Sequence, residues 1–119
     1  MSILVVDDSS VMRKIVIRTL RQAGYGDQTV VEAEDGMDGL EKAREHNPKV
    51  VLSDWNMPNM SGLEFCEALR AEGNEVPFGF VTSESSPEQL AAAIAAGAKF
   101  LLSKPFTSDE LATELTGVL

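Results

Sequence analysis

A single cysteine in 119 residues excludes an internal disulfide, and one histidine beside it leaves no Cys/His set of the kind zinc needs. Basic residues are scarce as well: 10 Lys plus Arg stand against 19 Asp plus Glu, a formal charge of -9. That balance argues against sequence-independent DNA binding and against attachment to anionic lipid, so the expected partners are cations or basic surfaces, with no nucleic acid and no membrane. No apolar run approaches the roughly 20 residues of a membrane helix. The start, Met1-Ser2-Ile3-Leu4-Val5-Val6, has no basic leader and reaches acids at Asp7 and Asp8, so neither a signal peptide nor a membrane span is expected and the cytoplasm fits. Internal repeats, low-complexity tracts and linkers are missing too. A chain of this length holds one ordinary core, and residues 1–119 are expected to form a single domain.

What is present is organised around Val50-Val51-Leu52-Ser53-Asp54-Trp55-Asn56-Met57-Pro58. Continuous apolar residues, β-branched at first, read as a strand covered on both faces, and Asn56 and Pro58 signal the loop that follows. Asp54 then stands at the C-terminal edge of a sheet, which in open α/β folds is the edge that carries ligands. Four further apolar runs behave in the same way: Ile3 to Val6, Thr29 to Val31, Phe78 to Val81 and Phe100 to Leu102. Between them lie helical patterns: Met12 to Ala23 closed by Gly24 and Gly26, Met37 to Ala43 before Asn47-Pro48, Leu63 to Leu69 before Gly73, and Pro87 to Ile94 before Gly97. A last helix starts at Thr107 or Ser108 and carries Leu111 and Leu115. Five strands alternating with five helices predict an α/β fold, a doubly wound parallel sheet with right-handed crossovers. Cys66 falls on a helical pattern and is read as core; His46 falls in the last turn of the second helix, where the dipole favours an imidazole with no further role.

The strand ends carry the chemistry. Asp7 and Asp8 follow the first strand, Asp54 the third, Thr82 the fourth and Lys104 the fifth. Asp8 or Ser9 can cap the first helix, but a cap needs one polar residue and Asp7-Asp8-Ser9-Ser10 supplies four. Three converging carboxylates repel by about 4 kcal/mol per pair at 4 Å and an effective dielectric of about 20. Lys104 offers one compensating charge; a hard divalent cation that prefers oxygen and keeps several waters offers two, which suits Mg²⁺ better than zinc.

These residues carry a resemblance. Asp7-Asp8, the stretch Ser53-Asp54-Trp55-Asn56-Met57-Pro58-Asn59-Met60-Ser61-Gly62, Thr82 and Lys104-Pro105-Phe106-Thr107 resemble the receiver domains of two-component response regulators, in particular the single-domain chemotaxis regulators, over essentially the whole chain. The resemblance implies a flavodoxin-like sheet in the order 2-1-3-4-5 with no output domain attached. It implies Asp54 as acceptor of a phosphoryl group from a histidine kinase phosphohistidine. Asp8, Asp54 and the backbone carbonyl of Asn56 would bind Mg²⁺, with Asp7 reaching it through water; Thr82 and Lys104 would bond phosphoryl oxygens. Such a protein is a switch that catalyses its own phosphorylation and dephosphorylation rather than a conventional enzyme. The implied readout is a surface of the fourth helix, fifth strand and fifth helix, presented by a monomer to a downstream target such as a flagellar motor switch component. Also implied are a cis Lys104-Pro105 peptide, Trp55 beside the site, and Asn56 and Glu84 as influences on hydrolysis; for the last two, plain loop polarity is the competing explanation.

Two departures stand out. Receiver domains usually carry Tyr or Phe three residues before the lysine, and here that position is Leu101, with Phe100 next to it on what should be the other strand face. The last two helices are poor in basic residues, with Ala91, Ala92, Ala93, Ala95 and Ala96 on one and Glu110 and Glu114 on the other. Rival functions fit less well. An aspartate-nucleophile hydrolase of the haloacid-dehalogenase type wants a second acid where Asn56 stands, and an FMN carrier wants hydroxyls and glycine where Asp7 and Asp8 would repel phosphate. A phosphate sink, or the receiver of a longer regulator, keeps the fold and changes the biology.

Overall fold

The computed structural model describes residues 2–83 and 85–119. Five strands, β1 (Ser2–Val6), β2 (Thr29–Ala33), β3 (Val50–Ser53), β4 (Phe78–Thr82) and β5 (Phe100–Ser103), alternate with five helices: α1 (Ser10–Leu20), α2 (Gly36–His46), α3 (Gly62–Ala71), α4 (Pro87–Ala95) and α5 (Ser108–Thr116). All strand pairs are parallel, in the order β2-β1-β3-β4-β5. This is the doubly wound parallel sheet predicted from the alternation of runs, in the flavodoxin-like order that the resemblance implied.

Strand periodicity divides the core in two. Leu4, Val6, Val51, Phe78 and Phe80 point to one face, where Ala43, Phe65, Cys66, Leu69 and Ala93 of α2, α3 and α4 cover them. Ile3, Val5, Val50, Leu52, Val81, Phe100 and Leu102 point to the other, beneath Val16 and Leu20 of α1 and Leu111 and Leu115 of α5. The central strands are buried on both faces, which is why they read as unbroken apolar runs. Among the described residues no helix is long and apolar enough to cross a membrane.

β1, β4 and β5 each run one residue beyond their apolar runs, to Ser2, Thr82 and Ser103, and β2 and the first helix depart further. β2 continues through Glu32 to Ala33 because β1 pairs with it as far as Val6↔Ala33, a register set by the neighbour strand and not by local composition. The first helix leaves α geometry after Leu20 and widens into a π-helical turn, Arg21–Tyr25, that contains Gly24 at φ 101. Gly24 does act as the stop that its position suggested.

Phe100 and Leu101 settle on opposite faces of β5. The Phe100 ring lies over Gly79, its partner in register, so closely that a Cβ there would stand 2.0 Å from the ring. Leu101 is half-buried at the floor of an open cleft of about 380 Å³ lined by Ser85, Pro87 and Leu90.

Candidate functional site

The β1–α1 turn brings two acids to the C-terminal edge of the sheet. The Asp7 N–H donates to the Ala33 carbonyl at 3.1 Å, carrying the ladder one residue past β1 and burying Asp7 to 3% exposure, while Asp8 is left exposed. Asp7 Oδ1 accepts the Ser9 N–H at 2.9 Å, and Ser9 in turn caps α1 by accepting the Met12 N–H. Ser9 is therefore the cap, and Asp8 is free of that duty.

Asp54 follows β3. Its N–H donates to the Val6 carbonyl at 2.9 Å, and its Oδ1 accepts the Trp55 N–H at 2.8 Å. Behind it Gly62 is packed so tightly that a Cβ would come within 2.0 Å of the Asp54 carbonyl oxygen; only glycine lets the start of α3 approach the end of β3. The Gly62 N–H donates to the Trp55 carbonyl at 2.8 Å and closes the loop between them. The Trp55 ring is tilted against Phe80 with centroids 4.7 Å apart, while its backbone N–H bond to Asp54 keeps the residue next to the acids.

Thr82 is buried at the end of β4, and the Lys104 N–H donates to its carbonyl at 2.7 Å. The Lys104-Pro105 peptide is cis, as the resemblance implied. The Lys104 ammonium stands 3.0 Å from Asp7 Oδ2 and 3.7 Å from Asp54 Oδ1. Asp7, Asp8 and Asp54 each offer an oxygen, all within 4.8 Å of one another, an arrangement able to hold a metal ion. Burial pushes the Asp54 carboxyl above its usual range; Lys104 and the Trp55 N–H oppose the shift, and Asp7 and Asp8 reinforce it.

Asp7, Asp8, Asp54 and Lys104 are thus gathered, with Thr82 on the adjoining strand end. Asn56 lies exposed in the loop two residues on, and Glu84 lies outside the described residues. His46 is exposed at the end of α2, and Cys66 is fully buried. Two structural features had no signal in the sequence. Arg13 of α1 donates from Nη1 to the Asp7 carbonyl at 2.7 Å and from Nε to Glu32 at 2.9 Å. Asn59, in the left-handed region at φ 66, donates from its side chain to Asp35 at 2.8 Å and ties the loop after Asp54 to the start of α2.

A flavodoxin-like sheet whose strand ends collect three carboxylates and a lysine defines a class, a parallel α/β domain with an acidic pocket able to hold a cation. Within that class the chain belongs to the response regulator receiver domain family, whose model it matches over residues 3–116. It is 41% identical over 122 residues to chemotaxis protein CheY1 of Helicobacter pylori, covering all of this chain and 97% of that one. It is 40% identical to the CheY homolog of Campylobacter jejuni, covering all of this chain and 92% of that one. The solved structure of chemotaxis protein CheY4 of Vibrio cholerae superposes with a TM-score of 0.87 at 39% identity, covering 99% of this chain and 98% of that one.

Proposed function

We propose that this protein is the phosphorylation switch of a chemotaxis two-component pathway, with Asp54 as the acceptor. The observation that carries the reading is the meeting of a largely buried Asp54 with Asp7, Asp8 and Lys104 at one sheet edge. Three oxygen-bearing acids with a net excess of negative charge fit a hard divalent cation, and Mg²⁺ is the natural choice. Asp7, Asp8, Asp54 and the Asn56 carbonyl would hold it. When bound, it neutralises charge on the oxygens of the transferring phosphoryl group.

The chain's own residues supply the rest. An Asp54 carboxylate oxygen attacks the phosphorus of a kinase phosphohistidine; the P–N bond breaks, its electron pair returns to the imidazole, and an acyl phosphate remains on Asp54. Lys104 pairs with one phosphoryl oxygen and the Thr82 hydroxyl donates to another, so β4 and β5 are drawn toward the modified residue. Hydrolysis of the acyl phosphate restores the carboxylate. The face formed by α4, β5 and α5 reports the change to a downstream protein, which in chemotaxis is a component of the flagellar motor switch. Leu90 and Ile94 already stand exposed there.

Incubation with labelled acetyl phosphate and Mg²⁺ tests the assignment. Wild type is expected to take up label that acid retains and hydroxylamine releases, and Asp54→Asn to take up none. Undiminished label on Asp54→Asn would overturn it.

A further inference from the structure

Arg13 belongs to none of the strand ends, yet it is the side chain that holds the β1–α1 acid turn from the helix side. Its side chain is 16% exposed and its guanidinium bonds two places at once: Nη1 donates to the Asp7 backbone carbonyl at 2.7 Å, and Nε donates to Glu32 Oε1 at 2.9 Å. Glu32 comes from β2, so the arginine ties α1, the end of β1 and the edge strand together around one peptide group. That peptide group links Asp7 to Asp8. Its carbonyl is fixed by Arg13, its neighbour Asp7 is fixed through Oδ1 by the Ser9 N–H and through Oδ2 by Lys104, and among the described residues no side-chain hydrogen bond or ion pair holds Asp8, so the peptide aims it.

We infer that Arg13 is a positioning residue for cation binding: by pinning the Asp7 carbonyl it sets the direction in which Asp8 leaves the turn, and Glu32 orients Arg13 for that purpose. The inference rests on the proposed binding of Mg²⁺ by Asp7, Asp8 and Asp54. A planar fork suits the task because it bonds two acceptors in fixed directions, whereas an ammonium acts as a point charge. Groups that orient metal ligands without touching the metal change affinity by about 10- to 100-fold when removed.

The direction of the effect separates positioning from simple electrostatics. Deleting a positive charge beside a cation pocket would by itself tighten Mg²⁺ binding; losing the anchor of the turn loosens it. Mg²⁺ titrations of wild type, Arg13→Ala, Arg13→Lys and Glu32→Gln, followed by Trp55 fluorescence and calorimetry, read the dissociation constant directly, and urea melts without metal confirm that each variant is folded. Arg13→Ala is expected to bind about tenfold more weakly, with Arg13→Lys and Glu32→Gln between it and wild type. Unchanged or tighter binding by folded Arg13→Ala overturns the inference, and so does full affinity in Glu32→Gln should Arg13→Ala fail to fold. Failure of wild type itself to bind Mg²⁺ would instead count against the proposed function.

Discussion

Lys104 is the counter-ion of Asp7 before it is the counter-ion of Asp54, with 3.0 Å to the first and 3.7 Å to the second. One ammonium is shared by an acid cluster that also includes Asp8. At such separations like charges repel by about 4 kcal/mol per pair at an effective dielectric of about 20, so a single cation leaves the cluster under-neutralised.

Removing an acid should therefore stabilise the metal-free fold. Asp54→Asn is expected to gain roughly 1 to 3 kcal/mol in EDTA, and Asp8→Ala to move in the same direction. Lys104→Ala should lose about 3 kcal/mol, because Asp7 is buried and would lose its cationic partner. Mg²⁺ should stabilise wild type by mass action, about 2.7 kcal/mol at a hundredfold excess over Kd, and do much less for Asp8→Ala. Urea melts with EDTA and with Mg²⁺ measure all four; a loss of stability in Asp54→Asn would contradict the picture.

The same cluster fixes a pH dependence. The Asp54 carboxyl is raised in the fold, so the folded state takes up its proton at a higher pH than the unfolded chain does. Its charged form opposes folding above the raised value, and that penalty fades as pH falls toward the ordinary 3.8. The Asp35 carboxyl works the other way, lowered by the Asp38 N–H and the Asn59 amide, and its contribution is lost on acidification. Asp35 is common to wild type and Asp54→Asn and cancels in their difference. The stability advantage of Asp54→Asn in EDTA should then hold above the raised Asp54 value and shrink as pH falls through it toward the ordinary 3.8; a gap unchanged down to that pH would remove Asp54 as its source.

Leu101 faces an open cleft, and Phe100 is sealed over Gly79. Leu101→Tyr should cost less than about 1.5 kcal/mol and leave labelling by acetyl phosphate intact while altering affinity for a partner on this face. Phe100→Ala should cost about 3 to 5 kcal/mol. Chemical denaturation ranks the two, and a larger loss for Leu101→Tyr would place that side chain in the core.

Cys66 is fully buried, and burial pushes its thiol up to about 11. Native protein should react negligibly with a thiol-directed disulfide reagent at pH 8, and the rate should rise in step with unfolding by urea. Rapid stoichiometric reaction of the native protein would show the α3 packing to be open.

The fold and the acid pocket were legible for one shared physical reason. A strand buried on both faces must be apolar throughout, so the polar residue that ends it is conspicuous, and Asp7, Asp54, Thr82 and Lys104 could each be read from a run that stops. Arg13 could not, because helical spacing marks it as a polar-face residue and its partners, Glu32 and the Asp7 carbonyl, are chosen by how α1 lies on the sheet. The Asp35–Asn59 tie was hidden similarly: Asp35 caps α2 by local rules, and its second oxygen meets Asn59 only after β3 is laid beside β1. Ala33 was missed as a strand residue because its pairing comes from β1.

β5 is paired on one side only, to β4. The ammonium that meets Asp7 thus comes from 97 residues away, one residue past an edge strand. Fraying of β5 would withdraw Lys104 while β2, β1, β3 and β4 stay paired, so the proposed phosphoryl chemistry would be silenced by an opening far smaller than global unfolding. Hydrogen exchange along β5 would gauge how often that happens. Order of synthesis adds to this: Asp7, Asp8 and Asp54 leave the ribosome well before Lys104 does, so the acids wait longest for the counter-ion they share.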